Sequence, residues 1–531
     1  MPFRPKRLPI HTIPSLRYGL NTQQGAEEIG DLEMSDCENF TVEEDTISLA
    51  GGYVTWDDTP RMGPYYGGIA FVKSDGTLVD IRQRQGKLEY APDGDSLWTE
   101  CTLPTTGSPA ANIPLTQKPC TFAILNDVCF WANGEEDVMT STDGITWTAQ
   151  PTLPKAAVVF NNGYNRILFL KQPAAPYRLD WSAINDGLTV DAAAYQLVDP
   201  NSHGYLLGAG LTPSGDLVLF KDSGLYSVSQ FVDDGIIDIN FIGDIIFTCQ
   251  QTVATTEDSI IWGSYNGAQE YIGGRIRQIM GRINPAGRND TNLQELYCGI
   301  YYNNKYRFSR PDATIDDGAY NSQEYIIHKK LRRNDAVQPY VVTRNKRYVG
   351  CYYIENFTFD GYGFDNTLYM GDSRSDGDVF AWVNDYKTTE SPFYEVQQML
   401  GGEAQTAYFV TKYFTDNTPF FIKRFKKFFA DIGVEQDLTV TMSYRFLPYG
   451  PWNDVAESLA SGSLDWDYDG GGSGSFSEGY SFFIQTAGRV FFDIENAEKP
   501  RGIQFKIAIT TLNDVKFYSL AYQYREKPKF K

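Results

Sequence analysis

Short apolar runs separated by Gly, Asp and Asn turns fill most of the chain between about residues 65 and 396. Residues 69–72 are followed by a turn at 74–76 and by a second apolar run at 78–81. The same order recurs at 217–228, at 161–170 and at 260–267. Runs rich in Val, Ile, Tyr and Phe that are bounded by turn residues are typical of β-hairpins. No segment sustains a long 3.6-residue period, so the pattern predicts an all-β fold.

A weak internal repeat organises these hairpins. Asp-Gly turns occur in segments 93–98, 141–147 and 185–189, at intervals of about 40–50 residues, which is the length of one propeller blade. Segment 141–147, with Ser141, Asp143, Gly144 and Trp147, resembles the Asp-box hairpin of sialidase-like propellers but lacks one residue between Asp and Gly. The repeat predicts a β-propeller over residues 61–400 with about seven irregular blades, six or eight being the alternatives.

The pattern changes after a linker at residues 401–404. The runs at 437–444 and 502–509 are longer, alternate with polar residues and flank a Gly/Ser-rich loop at 469–475. Alternation of this kind is typical of a strand with one face in a core and the other in water. The sequence therefore predicts a C-terminal β-sandwich domain over residues 405–531.

Residues 1–60, which precede the first predicted blade, are interpreted as an extended N-terminal arm and lead-in. The first twenty residues contain several prolines and cations: Pro2, Arg4, Pro5, Lys6, Arg7, Pro9 and Pro14. Prolines at this density prevent pairing as a central strand. Such an arm either lies on a neighbouring subunit or is a loose terminus, and the pattern leaves both open.

Composition and charge exclude several classes of protein. Apolar residues make up 42% of the chain and aromatic residues 15%, so intrinsic disorder is not expected. The formal charge of −21 argues against a protein that coats nucleic acid, because neutralising phosphates requires an excess of Lys and Arg. We found neither an apolar run of about 20 residues nor a signal peptide, so we expect no membrane insertion and synthesis in the cytoplasm.

The residues with reactive side chains give little sign of catalysis. Seven cysteines form no C-x-x-C pair, which suits reduced, buried thiols, and three histidines are too few for a multi-histidine metal site. Asp465, Asp467 and Asp469 copy the first half of an EF-hand loop, but Phe476 stands where its bidentate glutamate belongs. Phosphate-binding loops and nucleophile elbows are missing. We expect no cofactor, no metal and no enzymatic activity, with the carboxylates serving as turn formers and surface.

Basic clusters stand out against the acidic background. Together with the cations of the arm they are the candidate subunit or DNA contacts: Arg4, Lys6, Arg7, Lys329, Lys330, Arg332, Arg333, Lys423, Arg424, Lys426 and Lys427. A further cluster spans residues 344–347. Phe425, Phe428 and Phe429 could stack on bases, although such residues in a β-protein are more often core. Ordinary surface, a subunit contact and DNA binding remain the three interpretations.

The order of several short motifs resembles the tail hub or nozzle proteins of short-tailed bacteriophages, also called phage stabilisation proteins. Near the N-terminus these are Gly-Leu-Asn at 19–21, Asp-Cys-Glu-Asn-Phe at 36–40 and Leu-Ala-Gly-Gly-Tyr at 49–53. In mid-chain, Tyr-Arg-Leu-Asp-Trp-Ser at 177–182 is followed by Gly-Tyr-Leu-Leu-Gly at 204–208 and by segment 217–226. Segments 501–507 and 515–520 resemble the closing strands of the family.

The resemblance implies a structural protein of the virion. Members of this family form rings, commonly sixfold, that extend the channel of the portal and adaptor, retain packaged DNA and carry fibres or a tail tip. It therefore implies a homo-oligomeric ring, other virion proteins as neighbours (a portal or adaptor above, fibres or a tail tip below), and transient contact with double-stranded DNA during ejection. An acidic channel would let the duplex slide, because it repels phosphate.

Two other functions remain open from the sequence. A receptor-binding tail-tip propeller that recognises host surface glycan would expose aromatic side chains such as Trp452, Trp466 and Tyr468. A glycan-cleaving propeller enzyme is suggested by the degenerate Asp-box alone. Measurements of ring formation, of glycan binding and of glycan turnover distinguish the three functions.

Overall fold

The computed structural model describes the following residues: 10–13, 16–43, 46–50, 53–55, 63–92, 97–105, 107, 114–202, 204–231, 237–283, 294–312, 320–355, 367–374, 379–382, 405–415, 422–434, 438–459, 486–494, 500–511 and 515–526. Their regular structure is β-strand apart from two 3-10 turns, Gln250–Thr252 and Gln294–Leu296. Within these ranges no helix is long and apolar enough to cross a membrane.

In chain order the strands are β1 (Ile10–Ile13), β2 (Asp36–Glu38), β3 (Phe40–Glu43), β4 (Thr46–Leu49), β5 (Tyr53–Thr55), β6 (Tyr65–Val72), β7 (Leu78–Arg84), β8 (Lys87–Pro92), β9 (Thr99–Glu100), β10 (Thr121–Leu125), β11 (Val128–Ala132), β12 (Met139–Ser141), β13 (Thr148–Ala149), β14 (Val158–Asn161), β15 (Ile167–Leu170), β16 (Arg178–Trp181), β17 (Tyr195–Leu197), β18 (Leu206–Leu211), β19 (Leu217–Lys221), β20 (Gly224–Phe231), β21 (Ile237–Asp244), β22 (Ala254–Thr255), β23 (Ile260–Ser264), β24 (Gly267–Ile272), β25 (Arg275–Gln278), β26 (Cys298–Tyr302), β27 (Lys305–Pro311), β28 (Asn321–Arg332), β29 (Tyr340–Lys346), β30 (Val349–Glu355), β31 (Thr367–Asp372), β32 (Val379–Trp382), β33 (Gln405–Val410), β34 (Lys423–Val434), β35 (Leu438–Arg445), β36 (Asn453–Leu459), β37 (Thr486–Asp493), β38 (Gln504–Thr511) and β39 (Val515–Glu526).

The chain forms two compact units. One comprises residues 51–340 and 346–401, and the other comprises residues 1–50, 341–345 and 402–531. We call them the propeller unit and the sandwich unit.

The propeller unit follows the predicted repeat. The four-stranded sheets of the described residues number seven, and in chain order these blades 1–7 are β6–β9, β10–β13, β14–β17, β18–β21, β22–β25, β26–β29, and β30–β32 with β5. The first strand of each blade packs against the first strand of the next, and β30 of blade 7 packs against β6 of blade 1. The prediction of an all-β propeller of about seven blades with a C-terminal β-sandwich is confirmed.

Blade 7 takes its outer strand from a distant part of the sequence. β5 pairs with β32, with Val54 opposite Ala381. A sheet completed by strands from both ends of the propeller sequence closes the circle and leaves few exposed edges.

Tryptophan side chains fill the spaces between blades. Trp131 and Trp147 of blade 2 pack with Ile81 of blade 1, and all three are buried. The ring of Trp262 in blade 5 meets that of Phe220 in blade 4 edge-on, with centroids 5.3 Å apart. Each aromatic ring of this size removes about 150–250 Å² from water, so these contacts are a large part of the force that holds neighbouring blades together.

The Asp-box-like segment forms the tight turn between β12 and β13. Asp143 Oδ1 accepts hydrogen bonds from the backbone N–H groups of Ile145 and Thr146 at 2.8 and 2.7 Å, and Ser141 Oγ accepts one from Gly144 at 2.9 Å. Gly144 has a φ of +76°, which an L side chain adopts only with strain. The shortened motif therefore works as a turn, as its composition predicts.

The sandwich unit consists of two sheets. One has the strand order β2-β33-β38-β35-β36, and the other has the order β3-β4-β39-β34-β37 with β1 also paired to β39. Aromatic rings of the two sheets meet in the core. The ring centroid of Phe409 lies 5.3 Å from those of Phe40 and Phe517, and the ring centroids of Phe428 and Phe505 lie 4.5 Å apart.

The N-terminal region differs from the predicted extended arm. β1 pairs with β39, with Ile10 opposite Gln523 and Ile13 opposite Leu520, and β2, β3 and β4 are also strands of the sandwich unit. Apolar side chains explain the difference, because Ile13 and Phe40 are buried in the core. Proline does not prevent it, since the four residues of β1, Ile10–Ile13, contain none.

Candidate functional site

The first predicted basic cluster is divided between interior and surface. Lys329 is buried, and its ammonium binds the carboxylates of Glu270 and Asp258 and lies 2.9 Å from the Tyr340 hydroxyl. Arg277 donates to the other oxygen of Glu270 at 2.8 Å. Lys329 is therefore a member of an internal network of blades 5 and 6, which corrects the expectation that it faces a partner.

The remaining cations of this cluster have different surroundings. The side chain of Arg333 is buried and lies 3.7 Å from Asp335. Lys330 and Arg332 are exposed, and Arg332 makes only a 3.4 Å contact with Asp258. Lys330 and Arg332 alone thus remain accessible to a partner.

The second predicted cluster follows the alternation of β34. Lys423 is buried, and its ammonium donates to the backbone carbonyls of Thr415 and Arg501 at 2.8 and 2.9 Å, which corrects its assignment as a contact residue. Arg424 and Lys427 are exposed, and Lys426 is half-buried. Phe425 and Phe428 are fully buried and belong to the core of the sandwich rather than to a base-stacking surface.

Several predicted features lie outside the described residues: the arm cations Arg4, Lys6 and Arg7, the acidic loop 465–469, and the aromatic residues Trp466 and Tyr468. Among the residues that are described, no group of His, Cys, Asp and Glu side chains is placed to hold a metal ion.

A buried carboxylate on the third strand recurs in four blades. Its partners are arginines, in the pairs Arg82–Glu89, Arg178–Asp180, Arg277–Glu270 and Arg307–Glu324. In each pair the carboxylate is at most 1% exposed. These acids form ion pairs in the interior of the blades and serve a structural role. The sequence could not distinguish them from the surface carboxylates, because they stand at alternating positions of half-polar strands.

A cavity of about 350 Å³ lies in the propeller unit, among blades 2–4 and the segments around residues 250 and 295. Its cations are paired with carboxylates: Lys118 with Glu135, and Lys171 with Glu295 at 2.5 Å. The Gln251 amide donates to the backbone carbonyls of Tyr66 and Cys120 at 2.7 and 2.9 Å. The charges of this cavity are balanced and its amide ties blades together, so it has the character of a structural junction.

A larger cleft of about 660 Å³ lies on the outer face of the five-stranded sheet of the sandwich unit. One row of paired residues crosses its floor from strand to strand: Asp36, Val410 and Lys506. Along their strands these residues alternate with core residues such as Phe505 and Ile507. Their side chains therefore lie on the face of the sheet opposite the core.

Two loops form the walls of this cleft. One contains residues 22–26, and the other joins β35 to β36 and carries Tyr449 and Trp452. Tyr449 is 85% exposed, which makes it the most exposed large apolar side chain of the described residues. A Cβ built on Gly25 would lie 3.7 Å from the Tyr449 hydroxyl, so the two loops approach each other closely.

Cations and aromatic rings alternate across the cleft. The Arg445 guanidinium lies 4.3 Å from the centre of the Trp452 ring and donates to Gln504 Oε1 at 2.8 Å. The Lys506 ammonium lies 4.3 Å from the centre of the Tyr408 ring. The carboxylate of Asp36 accepts hydrogen bonds from Arg344 at 2.7 Å and from the Tyr408 hydroxyl at 3.1 Å, so its charge is already neutralised.

Sequence reasoning singled out one residue of this cleft, Trp452, as a candidate glycan contact. It missed Arg445 and Lys506, because single cations at alternate positions of a strand look like an ordinary solvent face. The only sequence signal was the aromatic-rich loop at 446–452, Phe-Leu-Pro-Tyr-Gly-Pro-Trp.

No family model matches the chain, and no curated protein matches it. Among solved structures, it is similar to YCF48 from Cyanidioschyzon merolae, with 11% identity and a TM-score of 0.36 over 62% of this chain and 98% of that one. The C-terminal WD40 domain of Sif2 gives 11% identity and a TM-score of 0.31 over 63% and 100% of the two chains. The extracellular domain of BT4673 from B. thetaiotaomicron gives 8% and 0.39 over 82% and 59%. Similarity at this level carries no functional information. The fold rests on the chain's own strand pairing, which is that of a seven-bladed β-propeller with a β-sandwich unit.

Proposed function

We propose that this chain is a structural protein of a tailed-bacteriophage particle, a tail nozzle or hub that works as a homo-oligomeric ring. The observation that supports it is the placement of the motifs on which the resemblance to that family rests. The N-terminal motif 36–40 contributes β2 and the start of β3, and the C-terminal segments 501–507 and 515–520 contribute β38 and β39.

These motifs meet in one sandwich although more than 400 residues separate them. β2 and β38 both pair with β33, and β4, the partner of β3, pairs with β39 through Ile47 and Phe517. Motifs that are weak one by one thus belong to a single structural module, as expected if they come from one ancestral domain rather than from chance.

Blade 3 offers a surface for the neighbouring copy of the ring. Five large apolar side chains there are between 42% and 51% exposed: Tyr164, Ile184, Leu188, Tyr195 and Leu197. Tyr195 and Leu197 lie on the outer strand β17. Exposed apolar side chains that lie together are typical of protein interfaces. In a ring they would contact a different surface of the next copy.

In this proposal the ring extends the DNA channel between a portal or adaptor above and fibres or a tail tip below. Contact with duplex DNA is transient, since a chain of charge −21 repels phosphate. Lys330, Arg332, Arg424 and Lys427 are the exposed cations left to set the register between copies.

Mass photometry and electron microscopy of the purified full-length chain test the proposal. We expect closed rings with a mass near six times 59.8 kDa, and labelling of the tail by antibody in particles of the virus that encodes the chain. Particles that contain none of this protein would refute a virion role.

Leu188→Asp/Leu197→Asp should abolish ring formation, because it places charge in the apolar surface of blade 3. The matched control is Val72→Asp/Leu97→Asp in blade 1, where the side chains are 42% and 52% exposed. Rings that tolerate the blade 3 change and fail with the control would place the interface elsewhere.

A further inference from the structure

We propose that the cleft of the sandwich unit binds an acidic oligosaccharide, with the carboxylate of the sugar between Arg445 and Lys506 and the sugar ring against Tyr449. The proposal rests on the cleft alone and does not depend on ring formation.

The charge of the cleft selects an anionic ligand. Of the described carboxylates, none lies within 4 Å of the Arg445 guanidinium or of the Lys506 ammonium, and Asp36 is occupied by Arg344. Burial lowers the pKa of Arg445, which indicates that its charge lacks a full counter-charge. The chain has 67 acidic and 46 basic residues, so its charge is mostly negative. Two cations without a carboxylate partner in one concave site make this cleft locally positive by contrast.

The aromatic side chains select a ligand with a flat apolar face. Trp452 is covered on one face by Arg445, whereas Tyr449 projects into the cleft almost fully exposed. An exposed tyrosine ring costs little side-chain entropy to immobilise and presents both an apolar face and a hydroxyl. A pyranose ring has the matching combination, with C–H bonds on one face and hydroxyls at its edge.

Polar groups around the rim complete the recognition of a sugar. Gln23 lines the cleft and is exposed, and a primary amide can donate to one hydroxyl while accepting from another. Gln24 also lines it, although its amide oxygen already accepts from the Asn21 amide at 3.0 Å. The volume of about 660 Å³ lies in the range of about 300–1,000 Å³ that is usual for small-molecule sites. It therefore suits a short oligosaccharide.

A nucleic acid fits this cleft less well. Binding to a phosphate backbone requires a track of cations at regular spacing. Here two cations share one cleft and the net charge of the chain is −21, so long polyphosphates are repelled. An acidic saccharide, with one carboxylate per sugar ring, needs only the two cations that are present.

Isothermal titration of the full chain with trigalacturonate and with its methyl ester tests the proposal, alongside an array of glycans that contain uronic or nonulosonic acids. We expect binding of carboxylated glycans and a loss of about tenfold or more for the ester, which has the same shape without the charge. Failure of every acidic glycan, equal binding of acid and ester, or preferential binding of an oligothymidylate would overturn the proposal.

Two variants assign the binding to this cleft. Lys506→Met keeps the length of the side chain but removes the charge, and Tyr449→Ala removes the most exposed ring, so neither is expected to disturb folding. Each should weaken binding by about tenfold. The matched controls on the other sheet are Arg424→Ala and Tyr518→Ala, which should leave it within about twofold. Binding that is insensitive to both cleft variants would show that the glycan binds elsewhere.

Discussion

The buried carboxylates of four blades each pair with an arginine. A carboxylate in the interior is tolerated only when its charge is compensated and its oxygens accept hydrogen bonds. Glu89 shows the arrangement: it faces Arg82 at 2.9 Å and Arg84 at 2.6 Å. The Arg82 guanidinium also lies 3.8 Å from the centre of the Trp98 ring. Removing the acid therefore breaks two ion pairs rather than one.

Glu89→Gln is expected to lower the free energy of unfolding by about 3–5 kcal/mol, because it removes the buried carboxylate charge that pairs with both Arg82 and Arg84. Urea unfolding followed by tryptophan fluorescence measures it. The control is Glu100→Gln on the neighbouring strand, where the pair with Lys87 is about half exposed and contributes about 0–1 kcal/mol. Similar losses of unfolding free energy in the two variants would show that the buried Glu89 pair stabilises the fold no more than the exposed Glu100 pair.

The same pair gives a pH dependence with a definite sign. Burial raises the pKa of Glu89, but the guanidiniums of Arg84 and Arg82 outweigh it and lower the pKa from its ordinary 4.5 to about 2. Since the folded-state pKa lies below the unfolded one, the carboxylate contributes stability above pH 4.5 that is lost as the pH falls toward 2. The difference in urea midpoint between wild type and Glu89→Gln should have its largest value at about pH 6 and should decrease below pH 4.5. A difference that persists unchanged to about pH 3 contradicts this assignment.

The cysteines are predicted to be unreactive in the folded chain. All seven thiols are free and buried, and burial raises the pKa of Cys37, Cys101, Cys249 and Cys351 to about 12. Because the thiolate is the reactive species, Ellman's reagent at about pH 8 should label none of them within minutes. All seven should react in guanidinium chloride, which serves as the control. Rapid labelling of native protein would show that a blade, or the sandwich unit around Cys37, opens on that timescale.

At the scale of the element, hairpins could be predicted and long-range pairing could not. Residues 69–72 and 78–81 lie in β6 and β7, and residues 217–220 and 225–228 lie in β19 and β20, because apolar runs and turn residues are both local signals. The pairing of β5 with β32 joins residues more than 300 positions apart, and neither strand contains a sequence signal that identifies the other as its partner. The same applies to β1 and β39.

The cleft escaped prediction for a related reason. Asp36, Lys506 and Arg445 come from β2, β38 and β35, strands that are distant in the sequence and belong to one sheet only in the folded chain. Lys329 and Lys423 show the converse error. Each stands in a run of cations that resembles a basic surface, but Lys329 is the last of nine consecutive buried positions of β28, and Lys423 lies on the buried face at the start of β34.

Deleting residues 1–15 should destabilise the sandwich unit, since it removes β1 and uncovers the backbone of β39 at Leu520–Gln523. It also removes His11, whose ring lies 4.5 Å from that of Tyr524. We expect faster hydrogen exchange at residues 520–523, and a Tm lower by about 4–8 °C if the loss is about 2 kcal/mol. Deletion of residues 1–8 keeps β1 and is the matched control. Identical behaviour of the two truncations would mean that β1 adds no stability.

At the scale of the whole molecule, charge and apolar surface oppose each other in any assembly. Every copy carries a formal charge of −21, so copies repel at low ionic strength. The exposed apolar side chains of blade 3 would attract, and the hydrophobic contribution to association does not require low salt. The exposed cations would contribute an attraction that salt weakens.

The response of ring formation to NaCl therefore identifies the dominant contact. If the apolar surface of blade 3 forms the interface, raising NaCl from about 0.05 M to 0.5 M shortens the Debye length from about 14 Å to about 4 Å, screens the repulsion and strengthens association. The concentration at which rings dissociate, measured by mass photometry or analytical ultracentrifugation, should fall. The opposite trend would mean that Lys330, Arg332, Arg424 and Lys427 hold the ring through acidic faces of the next copy. Charge reversal at Arg332 and Lys427 would then abolish rings, whereas under the apolar interface it leaves them intact.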